Sequence, residues 1–290
     1  MHINNIHTKD YDYKGLITTY PELSEYVFRS IHNRETIDFS NPEAVIALNT
    51  AILKYYYKLK HWSIPKGYLC PPIPSRVDYI HYIADVLKKE DYSEPINGLD
   101  IGVGANCIYP ILGAKIYGWN MIGVDINTIA VSTAMANVEN NQDIAKLIKI
   151  RHQKENANIF QGVIKSNEYF HFTMCNPPFY GSEEEAIRET KKKQKNLAFS
   201  TDGKRNFGGQ ANELWCNGGE ALFLKRMIKQ SVAFKTQVGF FTSLVSKNEN
   251  LAKLYKLLKK LNASYEIISM QHGNKKTRFL VWKFQPSLRV

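Results

Sequence analysis

After Pro95 the chain alternates short apolar runs with stretches of helical spacing. "INGLDI" enters a glycine-rich turn, "NMIGVD" precedes "NTIAVSTAMANVENN", and "LIKIRHQ" precedes a polar stretch. "FHFTMC" then meets an Asn-Pro-Pro turn, and "QVGFFTSLV" leads into "NENLAKLYKLLKKLN". This pattern predicts an α/β fold built on a Rossmann-like, doubly wound parallel sheet. The last runs, "SYEIISM" and "RFLVWKF", are joined by "QHGNKKT" without a helix, so the sheet is expected to end in a hairpin with one antiparallel strand. Upstream, "PEAVIALNTAILKYYYKLK" spaces Val45, Leu48, Ile52 and Leu53 on one helical face, with Asn41 as its N-cap. "SRVDYIHYIADVLKKE" repeats the pattern with Ser75 as cap, and both helices are expected to cover the entrance side of the sheet. Residues 1–40 show little periodicity and read as an N-terminal extension to a domain spanning 41–290, which carries an insertion at about 180–218.

Composition narrows the class. The chain has 290 residues, 44% hydrophobic and 22% charged, enough apolar material for one large core and too much for a disordered chain. It has no apolar run of about 18 residues, and "MHINNIHTKDYDYKG" lacks the cationic-then-apolar layout of a signal peptide. The expectation is a cytoplasmic protein without membrane contact. Cys70, Cys107, Cys175 and Cys216 lie far apart, so reduced thiols are expected rather than a disulfide framework or a zinc site, and no metal is expected. A formal charge of +11 makes a polyanion a candidate partner.

Ligands of doubly wound sheets bind at the carboxyl ends of the strands. The first end carries Asp100, Gly102 and Gly104 in "LDIGVGANC", with Cys107 where a dinucleotide fingerprint has its third glycine. A carboxylate there repels a pyrophosphate but attracts the ammonium and sulfonium of S-adenosylmethionine. The glycines allow the backbone to approach the methionine portion. Asp125, 25 residues after Asp100, stands near the offset at which an acidic residue takes a ribose diol, the lesser alternative being a cap for the helix starting near Thr128. Gln153, Lys154 and Glu155 at the third end are candidate neighbours of the adenine by position alone.

The fourth end carries Asn176, Pro177, Pro178 and Phe179. An amine conjugated to a ring or carbonyl is a poor nucleophile because its lone pair is delocalised. The Asn176 side-chain oxygen and the Pro177 carbonyl, each accepting one N–H, steer that nitrogen toward pyramidal geometry. No strong base is needed, since the proton can leave after the methyl arrives. The prolines hold both acceptors with little entropy left to lose, and Phe179 stacks on the flat group. Adenine and a glutamine side-chain amide both satisfy this description. Downstream, Arg188, Lys191, Lys192, Lys193 and Lys195 form a basic segment suited to a phosphate backbone, or simply an exposed helix with Glu-to-basic pairs. "NFGGQANELWCNGGE", with Asn206, Gly208, Gly209, Gln210, Gly218 and Gly219, reads as a loop closing over substrate or as a static turn.

"LDIGVGANCIYP", "MCNPPF", "NFGGQANELWCNGGE", "FTSLVS" and "LCPPIPSRVDYIH" resemble the bacterial RlmF methyltransferases along nearly the whole chain. The resemblance implies a class I S-adenosylmethionine-dependent methyltransferase acting on the exocyclic N6 amine of one adenosine in 23S ribosomal RNA, with S-adenosylhomocysteine as the other product. Eukaryotic relatives methylate adenosine in small nuclear RNA and messenger RNA hairpins. The resemblance also implies cofactor contacts from Arg76, Gly102, Asp125, Lys154 and Glu155, and an adenine clamp at Asn176 to Phe179. Where the family carries a basic His-Pro-Arg-Asn stretch, this chain has Ile3, Asn4, Asn5 and Ile6, which shifts the expected RNA grip of the extension toward Lys9, Lys14 or residues 191–195. The expected partner is ribosomal RNA or a large-subunit assembly intermediate, with no obligate protein partner. A protein glutamine-N5 methyltransferase and a catalytically silent, cofactor-containing RNA-binding protein are the alternatives.

Overall fold

The strand Asn97–Ile101 (β3) is buried from Gly98 onward, so both of its faces need cover, as in a central parallel strand. In the computed structural model, which describes residues 1–182, 184–185, 215–272 and 275–285, β3 lies in the middle of a seven-stranded sheet. Parallel to it on one side runs Asn120–Asp125 (β4), followed by Ile148–His152 (β5). On the other side lie Phe170–Cys175 (β6) and Val238–Leu244 (β7), also parallel. The hairpin of Ala263–His272 (β8) and Lys275–Phe284 (β9) closes the sheet, with β9 antiparallel to β7 in the order β5-β4-β3-β6-β7-β9-β8. This is the doubly wound sheet with its terminal antiparallel strand. The order in which successive strands are added reverses between β3 and β6, which opens a crevice at their carboxyl ends.

Two hydrophobic cores cover the two faces, and neighbouring residues of one strand divide between them, as the period of two requires. Phe240 joins the core built from Pro42–Tyr57 (α2), Ile73–Lys89 (α3) and Ile108–Tyr117 (α4). Phe241 joins the opposite core with Trp282, Gly219–Ser231 (α7) and Leu251–Lys260 (α8). Thr128–Glu139 (α5) and the short Gln142–Ala145 (α6) link β4 to β5. The Asn41 side chain accepts from the backbone N–H groups of Glu43 and Ala44, capping α2. Ser75 does not cap α3. That helix starts two residues earlier, because Pro74 fits its first turn, and the Ser75 hydroxyl donates to the Pro72 carbonyl at 3.1 Å.

Residues 1–40 hold Tyr13–Thr19 (α1) and a small hairpin of Val27–Arg29 (β1) and Glu35–Ile37 (β2). Leu16, Leu23 and Ile37 are buried in the same core as α2. The first residues invert the usual pattern: Ile3 and Ile6 are exposed, whereas His2, Asn5 and His7 are buried. The Asn5 amide donates to the Pro74 carbonyl at 2.9 Å and to Asp78, the His2 backbone N–H donates to Asp78 Oδ1 at 3.0 Å, and His7 Nε2 meets the Tyr57 hydroxyl at 2.8 Å. "HINNIH" is thus bonded to α2 and α3. Lys9 and Lys14 stay exposed.

Phe172 is fully buried between Trp119, 5.0 Å between ring centroids, and Phe240, 6.1 Å. Phe172→Ala removes a ring at the centre of the sheet and is expected to cost about 3–5 kcal/mol in urea unfolding. A loss under about 1 kcal/mol contradicts this packing.

Candidate active site

The carboxyl ends of β3, β4, β5 and β6 open onto one cavity of about 490 Å³. It is lined by Arg76, Gly102, Gly104, Asp125, Gln153, Asn176 and Pro178, among others. Side-by-side pairing of Ile101 with Cys175 sets the glycine turn after β3 next to Asn176. The turn crosses the end of β4, with the N–H groups of Gly102 and Val103 donating to the Val124 carbonyl at 2.8 and 2.9 Å. Gly102 has φ +77°, and a Cβ added there finds no atom within 4 Å, because it would project into open space. Backbone is therefore the wall of the cavity at this point.

Asp100 lies beneath that turn rather than on the cavity wall. It is completely buried, and neither carboxylate oxygen has a hydrogen-bond partner among the described residues. Burial pushes its carboxyl well above the ordinary range, the like charge of Asp125 adds to this, and Arg76 opposes it. Asp125, at the tip of β4, is raised by burial and partly relieved by backbone N–H donors. Its Oδ2 accepts from Gly104 N and its Oδ1 from Asn127 N, both at 2.9 Å. Asn127, not Asp125, caps α5, its side chain accepting from Ala130 N. Each Asp125 oxygen keeps a second lone pair for a hydroxyl donor.

Arg76 enters from the first turns of α3. Its Nη1 donates to the Tyr109 hydroxyl at 2.7 Å, and its guanidinium stands 5.4 Å from the centre of that ring. Tyr109 is buried and packs edge-on against Tyr79, 5.5 Å between centroids. Arg76 also lines the cavity, and a guanidinium there is suited to an anion. Gln153 uses its side chain on its own loop, donating from Nε2 to the Gln161 carbonyl at 2.9 Å and accepting from Glu155 N at 3.0 Å. Lys154 and Glu155 are exposed and do not line the cavity.

At the end of β6 the Asn176 amide oxygen is buried without a hydrogen-bond partner. Pro177 is buried beside it, and Phe179 is half-buried with its ring 6.5 Å from that of Tyr180. Trp215 forms a parallel bridge to Tyr180, and Cys216 N donates to the Tyr180 carbonyl at 3.1 Å. Gly219, with φ +61°, starts α7 so close to Gly181 that a Cβ would sit 3.2 Å from its backbone nitrogen. Arg188, Lys191, Lys192, Lys193, Lys195, Asn206, Gly208, Gly209 and Gln210 lie outside the described residues.

Tyr109, Ile126, Trp215, Phe223 and Arg226 also line the cavity and were not legible as site residues. Ile126 carries a signal in being an apolar residue directly after the strand-end Asp125, and Trp215 lies within the glycine-rich segment that reads as a loop over substrate, though it is not named there.

These residues fit S-adenosylmethionine. Arg76 suits a carboxylate, Asp125 a ribose diol, and the bare backbone at Gly102 a closely approaching chain, whereas Asp100, expected as a cofactor contact, is sealed beneath the turn and does not reach the cavity. A sheet of this topology with this cavity defines a Rossmann-like enzyme of the methyltransferase class. The model of a family described as RNA methyltransferase matches residues 1–286, and the chain belongs to that family. Ribosomal RNA large subunit methyltransferase F of Christiangramia forsetii is 58% identical over 284 residues, covering 98% of this chain and all of that protein. The protein of the same name from Salmonella typhimurium is 44% identical over 98% of this chain and 93% of its own length. Among solved structures, the human METTL16 catalytic domain in complex with the MAT2A 3'UTR hairpin 1 superposes with a TM-score of 0.82 at 28% identity, over 99% of this chain and 96% of that one. The N-terminal domain of human METTL16 in complex with SAH gives 0.79 at 27% identity, over 99% of both chains.

The raised carboxyl of Asp100 has a consequence for stability. The folded chain keeps a proton that the unfolded chain releases near its ordinary pKa of 3.8, so the associated stability is complete below that pH and declines as pH rises toward the folded-state value. Asp100→Asn is expected to raise the melting temperature of the ligand-free protein at about pH 7 and to lose that advantage near pH 4. Equal effects at both pH values contradict the assignment.

Proposed function

We propose that the protein transfers a methyl group from S-adenosylmethionine to the N6 amine of one adenosine in 23S ribosomal RNA. One observation carries this reading: Asn176 lines the cavity that also holds Arg76, Gly102 and Asp125, and its amide oxygen is buried without a hydrogen-bond partner among the described residues. A buried acceptor left open costs about 1–3 kcal/mol, so a donor is expected to meet it there. An exocyclic amine has two N–H groups. Asn176 Oδ1 accepts one and the Pro177 carbonyl accepts the other, which withdraws the nitrogen lone pair from the ring and turns it toward the cofactor side of the cavity. Phe179 holds the base by its face.

S-adenosylmethionine, when bound, supplies an electrophilic sulfonium methyl. Arg76 would hold its carboxylate with Tyr109 fixing the guanidinium, and Asp125 would take the ribose hydroxyls, while Asp100, sealed beneath the Gly102 turn, would not touch it. Gln153, Lys154 and Glu155 shape the loop beside its adenine, and Gly102 and Gly104 give the backbone its close approach. The adenosine leaves its stack to reach the fork.

Membership of an RNA methyltransferase family favours RNA over a protein glutamine as acceptor. Relatives named for the large-subunit ribosomal RNA support that RNA, alone or in an assembly intermediate, as the substrate, and hence a cytoplasmic reaction. The solved relatives with RNA hairpins and with SAH support the pairing of RNA and cofactor. The basic residues Arg188, Lys191, Lys192, Lys193 and Lys195, together with exposed Lys9 and Lys14 of the 1–40 extension, are the proposed phosphate contacts.

Purified protein is expected to transfer labelled methyl to 23S ribosomal RNA lacking the modification and to yield N6-methyladenosine on nucleoside mass spectrometry. Asn176→Ala is expected to lower kcat by about 10²–10³. Label that resists ribonuclease and stays with protein contradicts the RNA substrate, and unchanged kcat in the variant removes the fork from the mechanism.

A further inference from the structure

We infer that Trp215 and Arg226 read the ring nitrogens of the target base and so set its identity. The inference rests on the proposed adenine-N6 reaction. In adenine the amine is the one donor group of the base's edges. Once both of its N–H groups are accepted by the fork, what remains is N1, N3 and N7, all acceptors. In a pocket that excludes water each of these needs a donor.

Two residues that line the cavity carry donors of this kind. Trp215 Nε1 and Arg226 Nε are both buried, and neither makes a hydrogen bond among the described residues. Arg76, the other guanidinium of the cavity, is already committed through Nη1 to Tyr109. The two open donors also stand on a wall fixed to the fork. Trp215 is bridged to Tyr180, the residue after Phe179. Arg226 projects from α7 with its guanidinium 5.7 Å from the Phe223 ring centre. The first turn of α7 is in turn held by buried Glu220, which accepts from Ser246 N at 2.6 Å, Lys247 N at 3.2 Å and Asn250 Nδ2 at 2.7 Å.

An indole N–H can donate but never accept, and a guanidinium likewise. Adenine meets this wall acceptor to donor. Guanine presents N1–H and offers a carbonyl oxygen in place of the amine, so it opposes donors with a donor and leaves the fork's acceptors empty. The arrangement therefore selects adenine by its pattern of acceptors as well as by its amine.

The test uses the full chain, S-adenosylmethionine, and unmodified 23S transcripts made with adenosine or with its 1-deaza, 3-deaza or 7-deaza analogue. Methyl transfer is measured as kcat/KM, and cofactor-site integrity as affinity for S-adenosylhomocysteine, for wild type, Trp215→Phe, Trp215→His and Arg226→Lys. Wild type is expected to lose about ten-fold or more on at least one analogue. Trp215→Phe is expected to lose a similar factor on ordinary RNA and nothing further on that same analogue, with Trp215→His, which keeps a ring N–H, recovering part of the loss. Arg226→Lys keeps the charge, removes the Nε donor and is expected to show the same coupling to one analogue. Wild type indifferent to all three analogues overturns the inference, and this holds even if a variant misfolds and loses S-adenosylhomocysteine. Variants that keep the full wild-type sensitivity to the analogues, or that lose only S-adenosylhomocysteine affinity, overturn it as well, the latter assigning both donors to the cofactor's adenine. A wild-type reaction on ordinary transcript that yields no N6-methyladenosine overturns instead the reading on which the inference rests.

Discussion

The pairing of β3 with β6 governs the site, because it is where the order of strand addition reverses and where two unrelated turns are brought onto one cavity. Asp100 lies opposite Met174 and Ile101 opposite Cys175, so the next residues on each strand emerge side by side. One exit is the Gly102 turn, whose backbone forms a bare wall. The other is Asn176, whose amide oxygen is buried and open. Neither turn makes a site alone. Core packing on both faces, with Phe172 and Phe240 on one side and Phe241 and Trp282 on the other, keeps the register that joins them.

Electrostatics then divide the cavity by task. Burial raises both Asp100 and Asp125 at the β3 and β4 ends; the charge of Asp125 adds to the shift of Asp100, and Arg76 opposes it from α3. Such a site is hostile to a pyrophosphate and receptive to a molecule carrying an ammonium beside a carboxylate. Buried Asp100 costs stability above its unfolded-state pKa. Tyr109 connects the two halves of this arrangement, since it orients Arg76 and is itself packed on Tyr79 of the core.

The parallel sheet was legible because each strand is a short apolar run ending in a turn with its own chemistry. For the same reason Gly102, Asp125 and Asn176 could be placed at the cavity in advance, since they sit where an apolar run stops, whereas Asp100, one residue short of the end of β3, points beneath the turn instead. Residues whose roles come from tertiary approach were not legible. Tyr109 and Arg226 look like ordinary helix residues, and only the packing of α4 and α7 beside the crevice turns them toward it. Residues 1–40 showed little periodicity and read as an extension because their elements are too short for a period to register. Leu16, Leu23 and Ile37 nevertheless enter the core, and the polar side chains of "HINNIH" bond inward to α2 and α3. Ser75 misled because a proline one residue before it starts the helix without a side-chain cap.

The central claim is that an amide oxygen and a proline carbonyl at the end of β6 hold an aryl amine between them. A crystal structure of the protein with S-adenosylhomocysteine and a fragment of its RNA tests this most directly. The account predicts an extruded adenine stacked on Phe179, with N6 within hydrogen-bond distance of both Asn176 Oδ1 and the Pro177 carbonyl. An adenine bound elsewhere, or a fork closed over by protein side chains while the base is in place, would contradict it.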